Sequence, residues 1–214
     1  TDALIHVVRC FTSDGLLPER VYLTGQPGHL SLDIEMMVAD SQTLQTKIER
    51  LAKKVRSGDK GAIRQVEDCE KIKKGLEQGI PARRQGLKDR EMASIRECNL
   101  VSLKPVLYLA NIGSQDDACN GCLKKLQAIT AADGSEVVTV YGRDEADISQ
   151  LNPTDRQEFL AELGLKESSM TRLLEATYRK LGLVNFFTVG EDEVRAWTCR
   201  RGDKAPVAAG KIHT

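Results

Sequence analysis

The spacing of apolar residues that begins after Leu32 constrains the fold of this chain more than any other feature. A 4-3-4-3-4 spacing, typical of the seam of a coiled-coil helix, connects positions 37, 41, 44, 48, 51 and 55. The stretch Ser57–Gly61 interrupts it, and a second helical run follows with one face formed by positions 62, 66, 69, 72 and 76. Two helices joined by a tight turn predict an antiparallel hairpin, with a shorter third helix at Asp89–Cys98.

Charge is unevenly distributed along the chain, although 31 Lys and Arg balance 31 Asp and Glu overall. Between Lys47 and Arg90 the sequence has 14 Lys and Arg against 7 Asp and Glu, and the remainder has 17 against 24. A basic hairpin on an acidic body favours a polyanionic partner, of which RNA is the usual one. The alternative is a solvated hairpin with scattered lysines.

Strands and helices alternate in the remainder of the chain. Apolar runs rich in β-branched residues predict strands at Ala3–Phe11, Val106–Ala110 and Val137–Val140. Helices are predicted at Cys119–Ala132, after the N-cap Asn152, and from Ser168 or Ser169 to Gly182. This order predicts an α/β fold with a parallel sheet and crossover helices. At the tail, a β-hairpin that starts a separate small module is predicted from Asn185–Val189 and Val194–Thr198.

One strand runs directly into a polar residue, in the stretch KPVLYLANIGS from Lys104 to Ser114. In an open parallel sheet, ligands bind outside the carboxyl ends of the strands, so Asn111 and the loop after Val140 lie at the rim where a ligand would sit. An asparagine amide both donates and accepts, so Asn111 is a candidate reader of a nucleotide base. Asparagine is also a common turn former, and a plain strand end is the alternative.

Several kinds of chemistry are missing from the sequence. The phosphate-binding motif G-x-x-x-x-G-K-[ST] is absent, and three histidines leave no Ser/His/Asp or Cys/His arrangement. We therefore predict no catalytic residue, and no nucleotide bound to this chain alone, because the backbone N–H groups of such a loop hold the phosphates. No apolar run of 18 residues or more predicts a membrane span.

The six cysteines sit at irregular spacings, which fits a reducing cytoplasm better than a disulfide framework, and a cytoplasmic location is predicted. Cys119 and Cys122 have C-x-x-C form, which leaves a redox or metal site as an alternative to a chance pair at a helix start. A structural zinc site needs four ligands, and the sequence has no second pair of this kind. No metal site is therefore predicted.

The tail motif FFTVGEDEVRAWT at Phe186–Thr198, followed by APVAAGKIHT at Ala205–Thr214, closely resembles the YchF-type Obg-like ATPases. Further stretches resemble the same family in order: Asp2–Phe11, Asp33–Glu35, Ser57–Lys60, Lys104–Asn111, Glu145–Ile148 and Glu158–Gly164. The resemblance implies a partial P-loop NTPase sheet over 1–31 and 99–183, with an antiparallel coiled-coil hairpin inserted at 32–98. It also implies that 184–214 is the N-terminal part of a β-grasp (TGS) domain.

The same resemblance implies a protein that hydrolyses ATP in preference to GTP, with Mg²⁺, and that associates with ribosomes. The base-reading motif of such proteins has the form N-x-x-E, with Asn111 at its first position and Ile112 as a main-chain and apolar contact. Ser114 replaces the glutamate and is a weaker acceptor, which leaves the choice between ATP and GTP open. In the loop after Val140, Gly142 permits close approach to a base, and Tyr141 either stacks on the base or packs outward.

The resemblance places the P-loop, the switch segment and the metal-binding Asp motif before the position that matches Thr1, so the chain is expected to be a fragment that is inert alone. The candidate contacts to ribosomal RNA are the basic residues Lys53, Lys54, Arg56, Lys60, Arg64, Lys73 and Lys74. The alternative function is a module that docks on the ribosome, on RNA or on another protein, with nucleotide binding secondary. The sequence does not determine an oligomeric state.

Overall fold

The computed structural model describes residues 1–11, 31–113, 117–131, 134–162 and 167–212. The chain divides into two compact units. The hairpin unit comprises residues within 12–104 and 120–134, and the sheet unit comprises residues within 1–11, 105–119 and 135–214. Helix α4, Asp117–Ala131, has residues in both ranges.

Two long helices form the hairpin unit, α1 at Ser31–Arg56 and α2 at Lys60–Glu77. They pack as the antiparallel pair that the apolar spacing predicts, because the seam positions Leu44 and Ile72 are fully buried. The turn between them takes a left-handed residue, Gly58, with φ 78°. Asp59 then caps α2, since its Oδ1 accepts from the amides of Gly61 and Ala62 at 2.8 and 3.1 Å.

Buried carboxylates fasten the segments after α2 onto the two long helices. These segments are a 3-10 helix at Ala82–Arg84, helix α3 at Asp89–Ile95 and a second 3-10 helix at Arg96–Cys98. Asp33 at the start of α1 pairs with Arg83 at 2.9 Å. Asp40 accepts from the amides of Val101 and Ser102 at 2.9 and 2.6 Å. These contacts satisfy carboxylates that would otherwise be costly to bury.

Three parallel strands in the order β1-β2-β3 form the sheet of the second unit, and they confirm the predicted α/β fold. The strands are β1 at Leu4–Arg9, β2 at Val106–Asn111 and β3 at Val137–Val140. Three helices follow, α5 at Gly142–Gln150, α6 at Pro153–Glu162 and α7 at Ser169–Leu181. Leu107, Val138 and Ala176 form the core between the sheet and α7.

The prediction of a loop at residues 141–143 was wrong, because helix α5 begins at Gly142. Sequence reasoning placed the next helix only after Asn152. The helix was missed because Ile148 is its single buried residue, so nine mostly polar positions show no apolar period. A short helix, α8 at Ala205–Ala209, was missed because five residues are too few to show a helical period.

The predicted β-hairpin of the tail is present as β4 at Leu183–Val189 and β5 at Val194–Arg200. On one face, Trp197 Nε1 donates to Thr188 Oγ1 at 3.0 Å, and the Arg195 guanidinium lies 4.3 Å from the Trp197 ring centroid. On the opposite face, three large apolar side chains are exposed, Phe187, Val189 and Val194, and Phe187 pairs with Ala196 in the register.

Candidate functional site

The carboxyl ends of β2 and β3 bring the predicted base-reading residues together. The parallel register pairs Asn111 with Val140, and the Ile112 amide extends this pairing by donating to the Val140 carbonyl at 2.8 Å. The Gly142 amide donates to Asn111 Oδ1 at 3.2 Å. Asn111 and Gly142 are 31 positions apart in the chain but meet at one rim of the sheet. We call Asn111, Ile112, Tyr141 and Gly142 the base corner.

Gly142 and the Asn111 side chain lie in close contact within the base corner. A Cβ atom added to Gly142 would lie 2.9 Å from Asn111 Oδ1 and 3.2 Å from its Nδ2. Any larger residue would therefore displace the Asn111 side chain. With Oδ1 engaged by the Gly142 amide, the orientation assigned by this hydrogen bond leaves Nδ2 as the donor for a ligand.

The other members of the base corner differ in exposure. Ile112 is buried, with 6% of its surface exposed. Tyr141 is half-buried and is the N-cap residue of α5, with φ −99° and ψ 88°. The stacking of its ring on a base stays a prediction. Ser114 lies outside the described residues, and its role stays a prediction as well.

Sequence reasoning missed the residues that surround the base corner. Arg172 Nη2 donates to the Thr139 carbonyl at 3.1 Å, and Glu145 Oε1 accepts from the Ser169 amide at 2.5 Å. The only sequence signal was that Glu145 begins the family-like stretch Glu145–Ile148. Contacts of a side chain with the main chain of another element leave no periodic pattern in the sequence.

Five of the seven predicted RNA-contacting residues lie around the turn between α1 and α2. All five are exposed, and we call them the hairpin tip: Lys53, Lys54, Arg56, Lys60 and Arg64. The three on α1 lie in its last turn, where positive charge interacts favourably with the helix dipole. The structure therefore gathers these charges at one end of the hairpin.

The remaining two predicted residues lie apart from the hairpin tip. Lys73 is partly buried, and its Nζ donates to Gln45 Oε1 at 2.9 Å and pairs with Glu77 at 3.4 Å. Lys74 is exposed but follows Lys60 by 14 residues of α2, which is about 20 Å along a helix. Lys73 is thus engaged within the hairpin itself.

The described residues do not supply a metal centre. Within them, no group of three His, Cys, Asp or Glu side chains could hold a metal ion. The helices of the described ranges also include none long and apolar enough to cross a membrane.

The C-x-x-C alternative is not decided by the structure. Cys122 is buried in α4, and the side chain of Cys119 is outside the described residues. The five cysteines with described side chains form no disulfide. Burial raises the pKa of the Cys69 thiol to about 11, so this residue is a poor nucleophile at neutral pH.

The parallel sheet and the helical hairpin together define an α/β protein, and the carboxyl rim of such a sheet is where ligands bind in open parallel sheets. Comparison with known proteins sharpens this class. Residues 183–214 match the family model YchF-GTPase_C, described as a protein of unknown function (DUF933).

The whole chain aligns with YchF proteins. It is 34% identical over 220 residues to the ribosome-binding ATPase YchF of Bacillus subtilis, and 39% identical over 214 residues to that of Escherichia coli O157:H7. Both alignments cover 100% of this chain and 59% of the relative. The structure of the Schizosaccharomyces pombe YchF GTPase matches with a TM-score of 0.79 and 28% identity, covering 99% of this chain and 58% of that one.

These matches confirm the resemblance to YchF-type proteins, and this chain is related to them along its whole length. The chain spans 59% of the length of these curated relatives, so the activity of the whole protein does not follow from the match alone.

Proposed function

We propose that this chain is the base-recognition half, together with the helical hairpin, of a YchF-type ATPase that associates with ribosomes. The observation that carries the proposal is the contact between the Gly142 amide and Asn111 Oδ1 at the rim of the parallel sheet. The relatives named ribosome-binding ATPase support both parts of it. The domain division that goes with this function is 1–31 and 99–183, 32–98, and 184–214.

The base corner suits a purine ring. Asn111 Nδ2 donates to a ring acceptor, and Ile112 and the Gly142 backbone offer apolar and close contact to the flat ring. Such acceptors occur in both ATP and GTP, so Asn111 alone does not choose between them. A serine at position 114 discriminates less than a carboxylate would, and we propose ATP as the main ligand with GTP also bound.

Phosphoryl transfer depends on groups placed around the phosphates and on charge neutralisation there. We assign none of these roles to the described residues of this chain. The hairpin tip is proposed to contact ribosomal RNA, with its five cations as phosphate partners. The protein is proposed to act in the cytoplasm.

Calorimetric titration of ATP and GTP, with Mg²⁺, into the natural full-length protein tests the nucleotide site. The substitution Asn111→Ala should lower the affinity for both nucleotides by about 10-fold, which is the usual effect of losing one good hydrogen bond to a ligand. The matched control is Asn152→Ala, because Asn152 caps α6 in the same unit by accepting from Thr154 and Asp155. Absence of nucleotide binding in the unsubstituted protein would overturn the proposal.

A second candidate function is a docking module in which nucleotide binding is secondary, and the exposed hairpin tip favours it. Cosedimentation with ribosomes over a range of salt concentrations, with and without ATP, separates the two functions. Phosphate contacts predict a steep fall of affinity with salt. Ribosome binding that is unaffected by ATP, in a protein that binds no nucleotide, would establish the docking module.

A further inference from the structure

The first turn of α7 contacts the chain on both sides of the base corner. Before the corner, Arg172 Nη2 donates to the Thr139 carbonyl at 3.1 Å. After the corner, Glu145 lies three residues beyond Gly142, and its Oε1 accepts from the Ser169 amide at 2.5 Å. The same turn of one helix therefore holds the end of β3 and the first turn of α5.

Helix α7 is itself fixed to the sheet. Ala176 is fully buried against Leu107 and Val138, with Leu173 packed at the same place. At its beginning, Ser169 is 2% exposed, and its Oγ accepts from Arg172 Nη2 at 2.9 Å. Because a close-packed interior resists small displacements, α7 provides a rigid reference for the segments that it holds.

We propose that Glu145 and Arg172 are positioning residues that set the geometry of the base corner, an inference that rests on the nucleotide-binding function proposed above. Neither side chain is assigned a contact with the nucleotide. Both act through the placement of Gly142, whose amide fixes the Asn111 carboxamide at 3.2 Å. Recognition groups must be held within about 0.5 Å of their working geometry, and supporting hydrogen bonds supply that restraint.

The test measures the affinity of the natural full-length protein for ATP and for inorganic tripolyphosphate, both with Mg²⁺. Glu145→Ala and Arg172→Ala each remove supporting contacts, and each should lower the affinity for ATP by about 5- to 10-fold. Tripolyphosphate has no base, so its affinity should stay unchanged in both variants. Glu145→Gln should restore ATP affinity to within about 2-fold, because a glutamine oxygen still accepts from the Ser169 amide.

Arg179→Ala is the matched control, because Arg179 lies on the same helix and pairs with Glu136 at 2.7 Å, away from the base corner. It should leave both affinities unchanged. A parallel loss of ATP and tripolyphosphate affinity in the Glu145 and Arg172 variants would mean a general structural role and would overturn the inference. Unchanged ATP affinity in these variants would overturn it as well.

Amide hydrogen exchange separates this inference from the proposed function. If the unsubstituted protein binds no nucleotide, the proposed function fails, and exchange at Gly142 then decides whether the corner is positioned. Faster exchange in Glu145→Ala and Arg172→Ala, but not in Arg179→Ala, would support the positioning role. Equal exchange in all variants would overturn it.

Discussion

The hairpin unit and the sheet unit bury their apolar residues in different ways. In the hairpin unit, Leu44, Cys69 and Ile72 are fully buried. In the sheet unit, Val7 of β1 is 55% exposed and Phe187 of β4 is 66% exposed. The hairpin closes its core with helices that follow one another in sequence, whereas β1 and β4 keep some apolar side chains open to solvent. The base corner lies in the sheet unit, so substitutions in the hairpin core and at the base corner are expected to have separate effects.

The largest effect is expected from a buried ion pair of the hairpin unit. Asp33→Ala should lower the free energy of unfolding by about 3–5 kcal/mol, because it breaks a buried ion pair with Arg83. The matched substitution in the sheet unit is Glu136→Ala, which removes the exposed partner of Arg179 and should change the free energy of unfolding very little. Urea unfolding followed by circular dichroism measures both, and equal losses would contradict the contrast between the units.

A pair of apolar truncations sharpens the same comparison. Ile72→Ala should cost about 2–5 kcal/mol, because it leaves a cavity in a closed core. Phe187→Ala removes a larger side chain but should cost under about 1 kcal/mol, because most of that ring already contacts water. A loss for Phe187→Ala as large as that for Ile72→Ala, measured by the same unfolding experiment, would show that the exposed face is covered in solution.

Charge removal at the hairpin tip should separate ribosome binding from nucleotide binding. Replacing Lys53, Lys54 and Arg56 by glutamine removes three of the proposed phosphate contacts, so the slope of log affinity for ribosomes against log salt should fall by about 2–3. Lys73→Gln is the control, because Lys73 is held by Gln45 and Glu77. The affinity for ATP should not change in either protein. A slope that falls equally in the control would contradict the assignment of the tip.

The smallest effect concerns acid stability of the hairpin unit. The hydrogen bond from Lys71, followed by that from the Lys88 amide, holds the pKa of Glu91 below its ordinary value of 4.5. The ionised carboxylate is favoured in the folded state, so its contribution is present above pH 4.5 and is lost as the pH falls through the lower, folded value. Lys71→Met should flatten this dependence. Unfolding midpoints measured from pH 6 down to pH 3.5 test it, and parallel curves for the two proteins would contradict it.

The two units also differ in how far the sequence alone predicts them. The hairpin was predictable because its core positions repeat within each helix, which is a local signal. The meeting of Asn111 with the loop after Val140 was predictable in outline, because parallel strands end at one rim. Helix α5 was not predictable, since only Ile148 is buried on it.

Side-chain partners were the least predictable part of the site. The contacts of Glu145 and Arg172 join elements distant in sequence through main-chain groups, which residue types do not reveal. Similarly, nothing in the charge count distinguishes Lys73 from the hairpin tip, because its engagement by Gln45 depends on the packing of α1 against α2. Such contacts depend on the three-dimensional arrangement of the elements and carry no local pattern.

The most direct test of the central claim is the ATP affinity of the natural full-length protein that carries Gly142→Ala. The added Cβ would lie 2.9 Å from Asn111 Oδ1, so the Asn111 side chain must shift, which disturbs the hydrogen bond that Oδ1 accepts from the Gly142 amide. We predict a loss of about 5- to 10-fold in ATP affinity, with ribosome binding at fixed salt unchanged. ATP affinity equal to that of the unsubstituted protein would contradict the assignment of the base corner as a nucleotide site.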